Sequence, residues 1–311
     1  MNYPKFFDPK NSIYLFGLHE EFCFLYSLYQ KKKLPKVLMF TGNKGSGKST
    51  LINHFLFSIF DEKNYDRQKF FLRKISSFNE NFKNNIFSNI IYINGSDYKK
   101  VKVDDIRNLK TKIYKSSILN KERFIIFDDI DLFNTNSLNA LLKIIEEPGS
   151  QNYFFLINNK SKQLLETIRS RALEIKIILK ETQRLGIIEK LIDFYRVDMI
   201  LDTQKAQLTP GNFLKFNHIF HEYDISLNGQ FIENLSQLLN LYKKNKDILF
   251  IDMVYFIADL YLRDLKSKNI IKNDKIYEFK NFIFDNLNNF LLYNINQTAL
   301  INNINNKLNH E

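Results

Sequence analysis

The chain has 311 residues, of which 44% are hydrophobic and 25% charged, so it is long enough for two or three packed domains and is not intrinsically disordered. It lacks both the roughly 20-residue apolar stretch that spans a bilayer and an N-terminal leader pattern, so we expect a cytoplasmic protein with no membrane partner. The net charge of +11 favours a polyanionic partner, but the abundant Lys, Asn and Ile are also typical of an AT-rich genome, so charge alone leaves nucleic-acid binding open.

The first predicted helix carries the single cysteine, Cys23, next to Phe22, Phe24 and Leu25. One cysteine excludes an internal disulfide and a zinc site built from several thiolates, so no zinc is expected. Because its neighbours are apolar, we expect the thiol to be buried and inert.

Four short apolar runs in the first 180 residues predict buried strands, and helical patterns lie between them. The runs are 37–41, 89–93, 123–127 and 153–157. Leu51, Phe55 and Ile59 illustrate the helical spacing of three and four. Buried strands that alternate with helices predict an α/β fold with a parallel sheet covered on both faces.

A phosphate-binding loop follows the first run. The segment from Gly42 to Ser49 fits G-x-x-x-x-G-K-[ST] at every fixed position. Its glycines allow backbone N–H groups to face phosphate oxygens, Lys48 supplies a positive charge, and the Ser49 hydroxyl can bind Mg²⁺. We predict a site for ATP or ADP with Mg²⁺; the alternative is a glycine-rich turn without a ligand. The predicted nucleotide-binding residues are Gly42, Asn43, Lys44, Gly45, Ser46, Gly47, Lys48, Ser49 and Thr50.

The third apolar run ends in two carboxylates, Asp128 and Asp129. Ligands of an open α/β sheet lie at the carboxyl ends of its strands, so we expect Asp128 to face a magnesium ion held by Ser49. The alternative is that the two aspartates begin a surface turn.

Beyond residue 180 the apolar runs give way to helical patterns. Leu185, Ile188 and Leu191 form a helical stripe, and the Thr209-Pro210 pair is typical of a helix start. From about residue 223 onward the pattern is helical to the end of the chain.

Several segments resemble the AAA+ clamp-loader subunits of bacterial replicases. They are Leu15-Phe16-Gly17-Leu18-His19, Val103-Asp104-Asp105-Ile106-Arg107, Asp128-Asp129-Ile130-Asp131-Leu132, Leu138-Asn139-Ala140-Leu141-Leu142-Lys143, Glu146-Glu147-Pro148 and Thr167-Ile168-Arg169-Ser170-Arg171. The resemblance implies a P-loop AAA+ core with a parallel sheet over residues 1–179, a helical lid over 180–222 and an all-α collar over 223–311. It also implies partners: other subunits in a five-membered ring, a sliding clamp and primer-template DNA.

Two features favour the delta-prime type of subunit over the hydrolysing gamma/tau-type motor ATPase. The chain ends soon after its collar, and Thr209-Pro210-Gly211 resembles the serine-proline-glycine turn of delta-prime lids. An unrelated P-loop kinase or helicase is a third hypothesis, but we find neither an acceptor site nor further helicase motifs.

The resemblance also assigns residues to the reaction. Asp129 stands where motor subunits carry a glutamate that positions water, and Asn158 fits the polar sensor position of the core. Asn212 replaces the lid arginine that senses the γ-phosphate. Because the Asp129 carboxylate is one methylene shorter and Asn212 has no charge, we expect weak or absent ATPase activity.

Ser170-Arg171-Ala172 resembles the serine-arginine-cysteine motif of the family. The resemblance implies that Arg171 acts in trans, on the nucleotide of a neighbouring subunit. Two alternatives remain: Arg171 caps a helix or pairs with a surface carboxylate, or Arg169 has the role instead.

Arg107 and Lys110 lie beside the apolar face of a helix predicted over residues 104–116. In the family the equivalent helix lines the chamber that holds duplex DNA, so the two residues are candidates for phosphate contact. The alternative is a solvated basic surface.

Overall fold

The computed structural model of the chain describes residues 3–95, 106, 122–227, 230–268 and 273–309. These residues fall into two compact units. The core unit comprises the described residues within Tyr3–Val197 and Gln207–Leu214, and the helical unit comprises those within Asp198–Ala206 and Lys215–Glu311.

All strands of the described residues belong to the core unit. In chain order they are β1 (Val37–Thr41), β2 (Tyr65–Asp66), β3 (Phe71–Leu72), β4 (Ile90–Asn94), β5 (Arg123–Asp128), β6 (Asn152–Asn158) and β7 (Leu173–Lys176). Five of them form a parallel sheet in the order β4-β5-β6-β1-β7, while β2 and β3 form a separate antiparallel pair.

Helices cover both faces of the sheet. Those of the core unit are α1 (His19–Gln30), α2 (Lys48–Phe60), α3 (Ser77–Lys83), α4 (Thr135–Glu146), α5 (Glu166–Arg169) and α6 (Glu181–Tyr195). Within β1, Leu38 and Phe40 belong to one apolar cluster with Phe55 of α2, whereas Met39 belongs to a second cluster with Leu141 of α4. This alternation places α2 and α4 on opposite faces of the sheet, as expected for strands buried on both sides.

The helical unit has its own apolar interior. Its helices are α7 (Thr203–Ala206), the part of α8 (Pro210–Glu222) that follows Leu214, α9 (Phe231–Asn245), α10 (Leu249–Ser267), α11 (Asn273–Tyr293) and α12 (Gln297–Asn309). Phe216, Leu238, Phe250, Ile283 and Ile304 are among its fully or almost fully buried side chains. Apolar residues at helical spacing are thus buried between neighbouring helices. None of the described helices is long and apolar enough to cross a membrane.

The predicted fold class, a parallel α/β core followed by helices, is confirmed. All four predicted strands exist, within one or two residues of the expected bounds, and after β7 the described residues contain helices but no strand. The division into core, lid and collar remains a prediction.

The prediction of a buried thiol is wrong, because Cys23 is exposed. Phe22 and Leu25 occupy the inner face of α1 and are buried, whereas Cys23 and Phe24 point outward. An apolar neighbourhood in sequence does not settle burial, since adjacent helical residues lie about 100° apart around the axis.

Candidate functional site

The predicted phosphate-binding loop lies between β1, which ends at Thr41, and α2, which begins at Lys48. Gly45 and Gly47 have φ angles of +81° and +93°, in the left-handed region that residues with a side chain rarely adopt. Successive backbone N–H groups in such a turn form a concave site for an anion. Thr50 lies in the first turn of α2. The local backbone therefore suits phosphate binding.

Lys48 lies inside this loop, with only 3% of its surface exposed. Its Nζ donates hydrogen bonds to the carbonyl oxygens of Gly42 at 2.7 Å and Asn43 at 2.8 Å. Burial lowers the pKa of Lys48 to about 8, while the charges of Asp128 and Asp129 oppose that shift. The hydrogen bonds hold the amino group within the loop.

The two residues predicted to bind magnesium lie side by side. The Ser49 hydroxyl donates to Oδ2 of Asp128 at 3.1 Å, and the hydroxyl of Tyr92 donates to the same oxygen. The backbone N–H of Asp129 donates to the other oxygen, Oδ1, at 2.9 Å. Burial raises the pKa of Asp128, and the neighbouring charge of Asp129 raises it further. The carboxylate at the end of β5 is thus brought to the serine of the phosphate-binding loop.

Asp129 is held in a restrained position. It is buried, with a φ angle of +51°, and its Oδ1 accepts a hydrogen bond from the side-chain amide of Asn159. The backbone N–H of Asn159 in turn donates to Asp131 at 3.1 Å. Asp129 therefore does not belong to an exposed turn.

Asn158, the predicted sensor residue, ends β6 and is also buried. Its Oδ1 accepts a hydrogen bond from the backbone N–H of Lys160 at 3.0 Å, and its backbone carbonyl accepts one from Gly42 at 3.2 Å. The second bond joins the end of β6 to the first residue of the phosphate-binding loop.

The turn before α8 contacts the phosphate-binding loop, and both segments belong to the core unit. The Thr209 hydroxyl donates to the carbonyl oxygen of Lys44 at 2.6 Å, and the backbone N–H of Gly211 donates to that of Gly45 at 2.9 Å. A Cβ atom at Gly45 would lie 2.8 Å from the backbone nitrogen of Asn212. Asn212 is thus next to the loop, where the family's lid arginine is expected.

Arg171 is exposed and makes contacts within its own chain. Its Nη2 lies 2.8 Å from Oε1 of Glu146, and its Nη1 donates to the carbonyl oxygen of Thr167 at 3.0 Å. Arg169, the competing candidate, pairs instead with Glu166 at 3.3 Å. In the single chain, Arg171 therefore adopts the carboxylate pairing that was named as an alternative to its role in trans.

Arg107 and Lys110, the predicted DNA contacts, lie outside the described residues. Their neighbour Ile106 is described; it is helical and fully buried, in the apolar cluster that contains Ile125.

Sequence reasoning missed Tyr92 and Asn159 at the site. Tyr92 stands inside an apolar run, where a tyrosine is expected for packing, and its phenol oxygen is the only polar atom of that side chain. Strand alternation offered a signal, since Tyr92 and Asn94 share one face of β4, and Asn94 is paired with Asp128 in the sheet. Asn159 follows the predicted sensor but gave no signal of its own.

Comparison with known proteins agrees with this geometry. The sequence model of the family described as "DNA polymerase III, delta subunit" matches residues 19–180, which is more than half of the chain. DNA polymerase III subunit delta' of Buchnera aphidicola subsp. Schizaphis graminum is 24% identical, over 61% of this chain and 60% of the relative. Subunit delta' of Bacillus subtilis is 24% identical, over 78% of this chain and 69% of the relative.

Subunit gamma of the same Buchnera strain is similar to a comparable degree. It is 25% identical, over 48% of this chain and 42% of the relative. The chain thus spans about half the length of the two Buchnera relatives that it matches. The family expected from the sequence is confirmed: the chain belongs to the DNA polymerase III delta subunit family, whose members are clamp-loader proteins of the AAA+ type.

Proposed function

We propose that the chain is a delta-prime-type subunit of a DNA polymerase III clamp loader, binding ATP or ADP and helping to place the sliding clamp on primed DNA. The observation that carries this proposal is the cluster of Lys48, Ser49 and Asp128 at the carboxyl ends of β1 and β5, in a chain of this family. Such a cluster is suited to a nucleotide, because it combines an amino group, a backbone anion site and a carboxylate.

The residues present also fit a magnesium ion. Mg²⁺ prefers hard oxygen ligands, and the Ser49 hydroxyl and the Asp128 carboxylate supply them within 3.1 Å of each other. A bound ion would neutralise charge on the phosphate oxygens. The Lys48 ammonium would bind the outer phosphates, and the N–H groups around Gly45 and Gly47 would face the same oxygens.

The proposed subunit binds nucleotide but hydrolyses it slowly or not at all. Asp129 is one methylene shorter than the family's catalytic glutamate, and its carboxylate is tied to Asn159. Asn212 offers no positive charge beside the phosphate-binding loop. These features support an assembly subunit more than a motor.

The second candidate is a gamma/tau-type motor subunit of the same complex. The similarity to gamma subunits favours it, since these relatives match about as well as the delta' proteins. Under either candidate the chain would join other loader subunits in a five-membered ring and contact the sliding clamp. It would also bind primer-template DNA by contacts to the sugar-phosphate backbone of the DNA. A cytoplasmic location follows from this role.

A calorimetric titration of the full chain with ADP, in the presence of Mg²⁺, tests the proposed site. We expect one nucleotide to bind per chain. A chain that is folded by circular dichroism and binds neither ADP nor ATP would overturn the proposal.

A further inference from the structure

Tyr92 contacts the proposed metal site from the neighbouring strand. In the sheet it is paired with Ile126, so its side chain lies on the same face as Ile126 and Asp128. Its hydroxyl donates to Oδ2 of Asp128, the oxygen that also accepts the Ser49 hydroxyl. The register of β4 and β5 therefore places a phenol at the predicted magnesium ligand.

The chain supplies hydrogen-bond donors to both oxygens of this carboxylate. Oδ1 accepts the backbone N–H of Asp129, and Oδ2 accepts the two hydroxyls. Of the two hydroxyls, only that of Ser49 is expected to bind a cation as well. Tyr92 and the backbone of Asp129 thus hold the carboxylate from two directions, independently of any ligand.

The ring of Tyr92 is itself fixed. It packs against the apolar cluster under α2, and the ammonium of Lys10 lies 4.5 Å from the ring centroid. Lys10 is held in turn by a 2.6 Å hydrogen bond to Asn85. A hydroxyl on such a ring has little freedom to leave Asp128.

We propose that Tyr92 is a positioning residue for the divalent cation that accompanies the nucleotide: its hydroxyl orients the Asp128 carboxylate towards that cation. The inference rests on the proposed nucleotide site. Partners that orient a metal-binding carboxylate typically contribute 10- to 100-fold to metal affinity. A purely structural hydroxyl would instead affect folding and leave the response to metal unchanged.

The experiment compares the full chain with Tyr92→Phe, which keeps the ring and removes only the hydroxyl. ADP affinity is measured by calorimetry, first with EDTA and then over a series of Mg²⁺ concentrations. We expect the metal-free affinity to be unchanged and the Mg²⁺ concentration for half-maximal enhancement to rise about 10- to 100-fold. Tyr65→Phe is the matched control, since it removes a tyrosine hydroxyl bonded to His54 and not to Asp128. It should behave as the wild type.

A double-mutant cycle with Asp128→Asn makes the assignment specific. Asp128→Asn should abolish most of the enhancement by Mg²⁺, and adding Tyr92→Phe to it should change nothing further.

The failures of the two proposals are distinguishable. A wild-type chain that binds no ADP overturns the nucleotide site and this inference with it. Nucleotide binding with the same Mg²⁺ dependence in wild type and Tyr92→Phe overturns the inference alone. The inference is also overturned if Tyr92→Phe fails to fold, or if it loses as much ADP affinity without metal as with Mg²⁺. Either result would show that the hydroxyl stabilises the fold and does not specifically orient Asp128.

Discussion

At the scale of single residues, Lys48 is the side chain on which nucleotide binding should depend most. Lys48→Ala removes the ammonium that the loop carbonyls of Gly42 and Asn43 hold in place. Bonds to charged groups contribute about 1.5–3 kcal/mol, so we expect ADP affinity to fall roughly 10- to 150-fold. Calorimetry measures this change directly.

Lys33→Ala is the matched control, because Lys33 is exposed and lies outside the phosphate-binding loop. The control removes an equal charge from the surface and should retain most of the affinity. Equal ADP affinities for Lys48→Ala and wild type, with both chains folded, would contradict the predicted role of the ammonium.

Arg171 is predicted to act on the nucleotide of a neighbouring subunit. Forming that contact would require its guanidinium to leave Glu146 or to reach past it, since the pair is 2.8 Å apart in the single chain. Because arginine fingers contribute about 10³–10⁵ in rate, Arg171→Ala in this subunit alone should remove nearly all of the ATPase activity belonging to that interface. The measurement is DNA-stimulated ATPase and clamp loading by the assembled loader.

Arg171→Lys should also be impaired, because an ammonium lacks the planar geometry of a guanidinium. Arg169→Ala serves as the control, since Arg169 pairs with Glu166 nearby. If Arg171→Ala keeps wild-type rates and Arg169→Ala lowers them, Arg169 and not Arg171 has the role in trans. Wild-type rates for both variants would rule out a role in trans.

At the scale of elements, α2 carries the loop lysine at its start and a fully buried histidine, His54, at its centre. Nδ1 of His54 bonds the Tyr65 hydroxyl at 3.0 Å, and burial lowers the pKa of His54 to about 3, with a smaller contribution from His19. In the unfolded chain the His54 imidazole is protonated near pH 6.5, whereas in the folded chain it stays neutral until about pH 3. Stability is therefore lost as the pH falls below about 6.5.

The expected loss of unfolding free energy from this group is about 2 kcal/mol between pH 7 and pH 5. His54→Phe keeps an aromatic ring and removes the titration, so its stability should depend less on pH by about that amount. Urea unfolding followed by circular dichroism at the two pH values provides the comparison. The same pH dependence in both proteins would contradict the buried, neutral state of His54.

The elements with strong periodic signals were predictable from the sequence, and the weaker ones were not. Mostly apolar runs such as 37–41 predicted β1, β4, β5 and β6, because strands buried on both faces need such runs. The edge strand β7 has only Leu173 and Ile175 as apolar residues and is largely accessible, so its pattern was too short to detect. The antiparallel pair of β2 and β3 is shorter still, at two residues each.

The site was predictable where a motif has fixed spacing, as from Gly42 to Ser49. Asp128 was predicted to lie near Ser49 because ligands of an open α/β sheet lie at its strand ends, but other contacts between distant segments could not be predicted. The bond from Thr209 to Lys44 joins residues 165 positions apart, and Tyr92 reaches Asp128 only through the register of two strands. Such contacts depend on how the chain folds back on itself.

At the scale of the whole molecule, the proposal separates nucleotide binding from hydrolysis. Because Asp129 is short and tied to Asn159, and Asn212 carries no charge, the isolated chain should turn over ATP more slowly than about 1 s⁻¹. A phosphate-release assay with purified protein and Mg²⁺ measures this rate. Turnover at or above that value would favour the motor candidate.

The clamp-loading rate on primed DNA tests the central claim most directly. The rate should be measured for three loaders assembled from the partner subunits of the same organism. The first contains this chain, the second omits it, and in the third this chain replaces the gamma/tau-type subunits. We predict rapid loading only when this chain and the motor subunits are both present. Equal loading without the chain would contradict a role in the loader, and full loading when the chain replaces the motor subunits would contradict its assignment as a delta-prime-type subunit.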